Sequence, residues 1–261
     1  MYRTVPLHPS LAPYISEILI QEPDVSETAS SVYQVFPTPF PVMGFQYQGK
    51  LDVIQNDMAL PLSQTGVTGL QASVREFRPQ QTTRSVLIKF FPYSLFSLLQ
   101  NPIHEITNQH LGLGHFLKLS KLRVFEEQLS EAKRIDQLNA LTQAFLVEQL
   151  QRPKFEINDV VVAATGQILA THGRVRIEAI AQEFYMSRRQ LERLFQFYVG
   201  MSPKDFASLV RFDWSLGHMR SYRSHSELAL AAGYADQAHL SRHFMRYAGM
   251  SPNHFRKMDQ A

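Results

Sequence analysis

Cysteine is missing from all 261 positions. That excludes disulfides, thiolate metal sites, thiol redox sensing and cysteine nucleophiles. Long apolar runs are missing too, for nothing approaches the ~18 residues that a membrane-spanning helix needs. Residues 1–8 lack the basic stretch and apolar core of a secretory signal. The expectation is a chain that works in the cytoplasm without a membrane partner. A Gly-rich phosphate loop is also lacking, and Asp, Glu and His are scattered with no acid/base or nucleophile–base spacing. No catalytic residue and no cofactor is therefore expected.

A strong overall charge is lacking as well, at +3. That small figure hides an asymmetry. Residues 172–257 hold 13 Lys+Arg against 7 Asp+Glu, a net of +6, with six histidines besides. Residues 1–171 hold 13 against 15, a net of −2, and Asp259 completes the count. A basic C-terminal part is what phosphate binding requires.

The basic part carries one pattern twice. Residues 187–206 and 236–255 coincide at an offset of 49, with nine identities in twenty positions. These are Leu191/Leu240, Arg193/Arg242, Phe195/Phe244, Tyr198/Tyr247, the Gly-Met-Ser-Pro tetrads from Gly200 and Gly249, and Phe206/Phe255. Such a repeat indicates one supersecondary unit used twice. In the first copy Ile177, Ile180 and Ala181 open a short helix, a turn follows through Phe184 to Met186, and Ser187 suits the N-cap of a second helix. That helix lines up Leu191, Leu194, Phe195 and Tyr198 on one stripe and Arg189, Glu192, Arg193 and Gln196 on the other. Gly200 closes it and Pro203 cannot continue it. The second copy has Leu228 and Ala229 inside, Asp236 as cap, and Leu240, Phe244 and Tyr247 buried. It leaves Gln237, His239, Ser241, Arg242 and Arg246 outside. Ala181 to Leu191 spans ten residues and Ala229 to Leu240 eleven, so the second turn is one residue longer. Helix, tight turn and a polar second helix form the helix-turn-helix layout, over about 174–200 and 224–249. A helical bundle with merely solvated faces is the bland rival, and two copies with shared punctuation weigh against it.

Residues 158–258, through Leu-x-Arg-x-Phe followed by Gly-Met-Ser-Pro in each half, resemble the DNA-binding domain of the AraC/XylS family of bacterial transcription regulators. The resemblance implies two recognition helices in successive major-groove segments, spaced by a helix over about 202–220. By position it assigns base contacts to Arg189, Glu192 and Arg193, and to Gln237, His239 and Arg242 with Ala238 at the helix start. Arginine suits guanine O6/N7 and glutamine suits adenine. Arg188, Lys204 and Arg246 fit phosphates better. Some members of the family repair alkylated DNA through sacrificial cysteines, which this chain does not have. Three departures bear on helix packing: Arg176 where Ser or Thr would cap, Trp214-Ser215 where a small apolar residue is usual, and His243 where the first copy has Leu194. His243 is read as a core histidine rather than a DNA contact.

The N-terminal part reads as β-rich to about residue 92. Val32 to Phe36, Val42 to Tyr47, Gly66 to Leu70 and Ser85 to Phe91 are β-branched and aromatic runs between turn residues. Pro37, Pro39 and Pro41 argue for a loop or strand edge. The aromatics Tyr33, Phe36, Phe40, Phe45, Tyr47, Phe77, Phe90 and Phe91 are expected in the core, although a small barrel or sandwich can enclose a ligand. Arg75, Arg78 and Arg84 either pair with an anionic effector or are solvated, solvation being the commoner case. After Pro92 the pattern turns helical, first from Tyr93 to Leu99. The stretch from Lys89 to Asn108 resembles the end of the sensing domain in one subgroup of these regulators, with Pro92-Tyr93-Ser94 where relatives carry Pro-Gly-Gly. His104, His110 and His115 have no ligand-like spacing, and no metal is expected. Two helices follow over 119–151. Ile135, Leu138, Leu141, Phe145 and Leu146 on the second either pack on their own domain or pair with a twin in a homodimer.

The expected fold class is α+β. A β-rich barrel or sandwich-like effector-binding and dimerisation domain with trailing helices covers 1–152, and an all-α DNA-binding domain covers 158–261, with Arg152-Pro153-Lys154 at the joint. The expected function is a sequence-specific regulator that activates or represses a promoter in response to a small-molecule effector. Its partners are double-stranded promoter DNA, RNA polymerase for an activator, and a second copy of itself; bound to DNA it is nucleoid-associated. Two rivals stand beside this: an N-terminal enzyme of unknown activity tethered to DNA, and architectural binding without sequence preference.

Overall fold

The computed structural model describes residues 2–21, 32–150 and 158–258. The expected joint at Arg152-Pro153-Lys154 lies outside the described residues. Among the described residues nine strands come first, β1 (Tyr2–Val5), β2 (Ile15–Gln21), β3 (Tyr33–Val35), β4 (Val42–Gln48), β5 (Leu51–Gln55), β6 (Met58–Pro61), β7 (Thr65–Thr68), β8 (Arg75–Pro79) and β9 (Arg84–Phe90), and a tenth, β10 (His110–Gly112), follows the first helix. They form two antiparallel sheets, β1-β2-β9-β4-β7-β10 and β3-β8-β5-β6, which do not close into a barrel. Pro37, Pro39 and Pro41 fall between the edge strand β3 and β4, where no ladder needs their missing N–H.

Strand alternation divides the larger sheet into two faces. Met43, Phe45, Val67, Val86, Ile88 and Phe90 point one way and are fully buried. Three helices cover them: α1 (Leu95–Leu99), α2 (Leu119–Glu131) and α3 (Ile135–Leu150). Phe45 meets Phe125 of α2 at 4.8 Å and Phe145 of α3 at 5.9 Å, edge to face, while Phe125 and Phe145 stack at 4.1 Å. Each buried phenylalanine removes enough apolar surface to stabilise the fold by roughly 1.5–3 kcal/mol. This settles the use of the α3 stripe. Leu138, Phe145 and Leu146 are buried in the chain's own core and Ile135 and Leu141 pack against it, so the seam is not free to pair with a twin.

Seven helices follow: α4 (Asp159–Ala170), α5 (Ile177–Glu183), α6 (Arg188–Tyr198), α7 (Pro203–Gly217), α8 (His225–Ala231), α9 (Gln237–Ala248) and α10 (Pro252–Met258). A second core built around Phe195, Phe206, Phe212, Phe244 and Tyr247 holds them together. The two parts touch at named points. Leu70 belongs to the helical core. Phe36 meets Phe255 of α10 at 5.3 Å, Phe96 meets Tyr198 of α6 at 4.9 Å, and the Thr107 hydroxyl donates to the Gly200 carbonyl at 2.9 Å.

Asp213 on α7 lies at this junction. Burial pushes its carboxyl up from 3.8 to about 6, and Lys89 of β9 opposes the shift. The folded state thus keeps this proton longer than the unfolded chain does. Its contribution to stability therefore falls as pH rises from about 4 to about 6, and is level above that. Asp213→Asn is expected to raise unfolding free energy at pH 7 by at most ~3 kcal/mol and to flatten that part of the pH profile. A series of thermal melts between pH 4 and 7 reads both effects.

Candidate DNA-reading surface and ligand cavity

Local chemistry fixes the two recognition helices. Ser187 and Gln190 form a reciprocal capping box at the start of α6. Asp236 caps α9 by accepting from the His239 N–H at 2.6 Å. Four residues separate α5 from α6 and five separate α8 from α9, so the second turn is the longer one. Gly200 and Gly249 end the helices with φ of +87° and +69°, in the left-handed region. Leu191 and Phe195, and Leu240, Phe244 and Tyr247, are buried, which turns the opposite stripes outward.

Arg188, Arg189, Arg193 and Gln196 of α6 are exposed, as are Lys204 on α7 and Gln237, Arg242 and Arg246 of α9. Glu192, His239 and Ser241 are half-buried. Among the described residues Arg189, Arg193 and Arg242 make no hydrogen bond or ion pair. Others are partly committed. Arg188 bridges Glu192 at 3.0 Å and Glu178 of α5 at 3.6 Å, tying the two helices of the first unit together. Arg246 reaches Asp205 at 2.9 Å and lies over the Tyr247 ring. The Asp205 carboxyl sits below its ordinary range: burial opposes ionisation, and hydrogen bonds from Ser202 and Arg246 outweigh it. Gln237 accepts from the Ser226 hydroxyl at 2.9 Å. His239 turns its ring edge-on to Tyr234 and His243.

The three departures resolve physically. Arg176 precedes α5 without a side-chain capping bond. Ser215 is buried and satisfied by the Arg211 carbonyl at 2.7 Å, while Trp214 stacks on His218 at 4.1 Å. His243 is half-buried among Tyr234, His239 and Tyr247, and burial with nearby positive charge holds it neutral, down at about 4. The repeat also places Met245 at the position of Gln196, more than half exposed, a surface residue that a search for polar contacts passes over. Not every arginine of the basic part faces solvent. Arg256 donates to the carbonyls of Met219, Tyr222 and Arg223, and Arg211 to that of Gly173.

The other face of the larger sheet carries Val42, Gly44, Gln46, Thr68, Ser85, Leu87 and Lys89, and looks across at the smaller sheet. Between them lies a cavity of ≈ 790 Å³. Gly44 contributes no side chain there, which leaves that part of the space open. Tyr33, Phe36, Phe40 and Phe77 line this space, Phe36 also packing against the helical core, whereas Phe45 and Phe90 are core residues as expected. The three arginines separate. Arg75 lines the cavity, Arg78 pairs with Asp52 at 3.6 Å, and Arg84 sits near Tyr47 outside the lining. His110 enters the cavity from β10, with Nδ1 against the Thr68 hydroxyl at 2.9 Å.

Residues 180–258 match the family described as Helix-turn-helix domain, and residues 3–112 match Domain of unknown function (DUF6597). No curated protein matches the chain. Among solved structures, ToxT from Vibrio cholerae is 13% identical, with 88% of this chain and 97% of that one covered and a TM-score of 0.46. The C-terminal domain of AraT, a response regulator from Geobacillus stearothermophilus, is 23% identical over 39% of this chain and 86% of that one, with a TM-score of 0.36. The AraC-like transcriptional activator CuxR is 17% identical over 69% and 70%, with a TM-score of 0.32. Residues 180–258 thus form an AraC-type helix-turn-helix domain behind a β-rich domain, the makeup of a DNA-binding transcription regulator.

Proposed function

We propose that the chain is a one-component switch, in which an effector domain over 1–152 receives a small molecule and a DNA-binding domain over 158–261 reads a promoter. The observation that carries the reading is the pair Arg193 and Arg242, exposed at the same place in two duplicated helices. Arg189, Glu192, Gln196, Gln237, His239 and Ser241 complete the base-facing set, and Arg188, Lys204 and Arg246 take phosphates. For Arg188 and Arg246 this means exchanging a protein carboxylate for DNA.

The coupling is short. Phe36 lines the cavity and also packs on Phe255 of α10, the helix that follows α9. A ligand that moves the wall of the cavity thereby biases how the reading helices are held, which is a population shift between DNA-competent and incompetent arrangements. RNA polymerase is the partner of an activating form. A second copy would have to dock through a surface other than the buried α3 stripe.

Selection of sites from random DNA by the full chain tests this. The expected outcome is a bipartite motif whose halves lie about one helical turn, ~10 bp, apart. An unenriched pool would mean binding without sequence preference. Lys204→Ala is expected to weaken all DNA sequences alike and to flatten the slope of log affinity against log salt by about one unit. Titrations at four salt concentrations measure it.

A further inference from the structure

The outermost ridge of each recognition helix is the line directly opposite its buried stripe. At 3.6 residues per turn, positions i, i+4 and i+7 fall within about 60° of arc, and in α6 they place Arg189, Arg193 and Gln196 on that ridge. The repeat offset of 49 puts Ala238, Arg242 and Met245 on the same ridge of α9. All six are exposed, Met245 by 55%. The first ridge is polar throughout. The second keeps its arginine and has an apolar side chain on either side of it. A lone exposed methionine on a protein surface is ordinary. This one belongs to neither hydrophobic core, and it stands about one helical turn beyond Arg242, where the other copy carries a glutamine able to bond a base.

We propose that α9 reads thymine through its 5-methyl group, with Ala238 and Met245 packing on methyls in the major groove to either side of the base pair that Arg242 contacts. The proposal rests on the reading of α9 as a recognition helix and adds the chemistry of its half-site. Alanine has no hydrogen-bonding group in its side chain, and the methionine thioether is only a weak acceptor. The one apolar feature that a base pair shows in the major groove is the thymine methyl. An adenine or cytosine amino group set against the same side chains would lose water and gain no partner. The ridge therefore selects twice, by what it packs and by what it leaves unpaired. Methionine is unbranched, and its flexible thioether fits itself to the methyl. Ala238 and Met245 lie ~10 Å apart along the helix, so they meet different base pairs. The first half-site faces Arg189 and Gln196 at these positions, and its readout is by hydrogen bonds. Methyl dependence is thus confined to one half of the operator.

The test uses the full chain and the bipartite site it selects from random DNA, with each thymine replaced in turn by deoxyuridine, which pairs alike and lacks only the methyl. Loss of the methyl is expected to weaken binding about fourfold at two separate positions of the α9 half-site, the worth of burying one methyl group. In the α6 half-site the change should stay below about 1.5-fold. Met245→Ala should erase the loss at one of the two positions and leave the other intact. Met245→Gln, which installs the residue of the first copy, should move the preference at that position from thymine to adenine. Each variant is first shown to melt as the wild type does. An α9 half-site without thymine, uracil sites bound like thymine sites throughout, or a loss that survives unchanged in Met245→Ala overturns the methyl reading. Arg242→Ala separates this failure from the deeper one. If it still relaxes one base position of that half-site, α9 remains a recognition helix. If it leaves the footprint unaltered, or if no site is selected at all, the reading beneath the proposal falls with it.

Discussion

Arg193→Ala and Arg242→Ala are each expected to cost ~1–3 kcal/mol of site-specific DNA binding, roughly 5- to 150-fold, and to relax preference at one base position. Both side chains are exposed, and the helices beneath them are fixed by other residues: the Ser187–Gln190 capping box and buried Leu191 and Phe195 under one, the Asp236 cap and buried Leu240 and Phe244 under the other. Truncation thus removes the proposed groove contact and leaves the fold in place. The two lie in separate helix-turn-helix units, so the double variant should lose about the sum, ~2–6 kcal/mol. Arg188→Ala is a useful contrast, because it breaks the bridge to Glu178 that sets α6 against α5. Its loss should fall on all base positions of that half-site together. Competition against random DNA at fixed salt measures the affinities, and footprinting assigns each loss to its half-site. Wild-type footprints from both alanine variants would remove α6 and α9 from the grooves.

The reader was legible in the sequence because its signals are local. Ser187 and Asp236 as caps, Gly200 and Gly249 as stops and the spacing of Leu191 and Phe195 each act within one or two helical turns, and the repeat states each of them twice. The sheets were legible only in part. β4 and β9 show runs of apolar and aromatic residues, but the bulge between Ile15 and Glu17 breaks the alternation of β2. β8 reads Arg-Glu-Phe-Arg-Pro and looks like a loop. One hairpin did carry a signal: Asn56 and Asp57, both with positive φ, form the two-residue turn between β5 and β6. The cavity could not be read at all, because its wall is assembled from strands far apart in the chain. Arg75, Arg78 and Arg84 look alike until the register of β8 and β9 turns only the first inward. The apolar stripe on α3 fitted a core or a twin equally well, and only the position of Phe45 and Phe125 decides between them.

Gly200→Ala and Gly249→Ala form a matched pair that isolates the contact between the two parts of the molecule. Both glycines close a recognition helix at the same point of the repeat, with positive φ. An alanine in that backbone conformation costs ~1–2 kcal/mol at either position. Their surroundings differ. At Gly249 the nearest atom to an added Cβ is Val74 Cγ1 at 3.6 Å, an ordinary contact. At Gly200 the Cβ would stand 2.3 Å from Thr107 Oγ1 and 3.0 Å from the Ile103 carbonyl oxygen, so the segment that grips the end of α6 must yield. Gly200→Ala is therefore expected to destabilise the chain by ~1–3 kcal/mol more than Gly249→Ala. Thr107→Ala in the same background should recover part of that excess, since it removes the hydroxyl and leaves the carbonyl in place. Chemical denaturation of the wild type and the three variants measures the difference. Equal losses from the two glycine variants would mean that the N-terminal part does not hold α6 in solution, and a switch that works by loosening that hold would lose its physical basis.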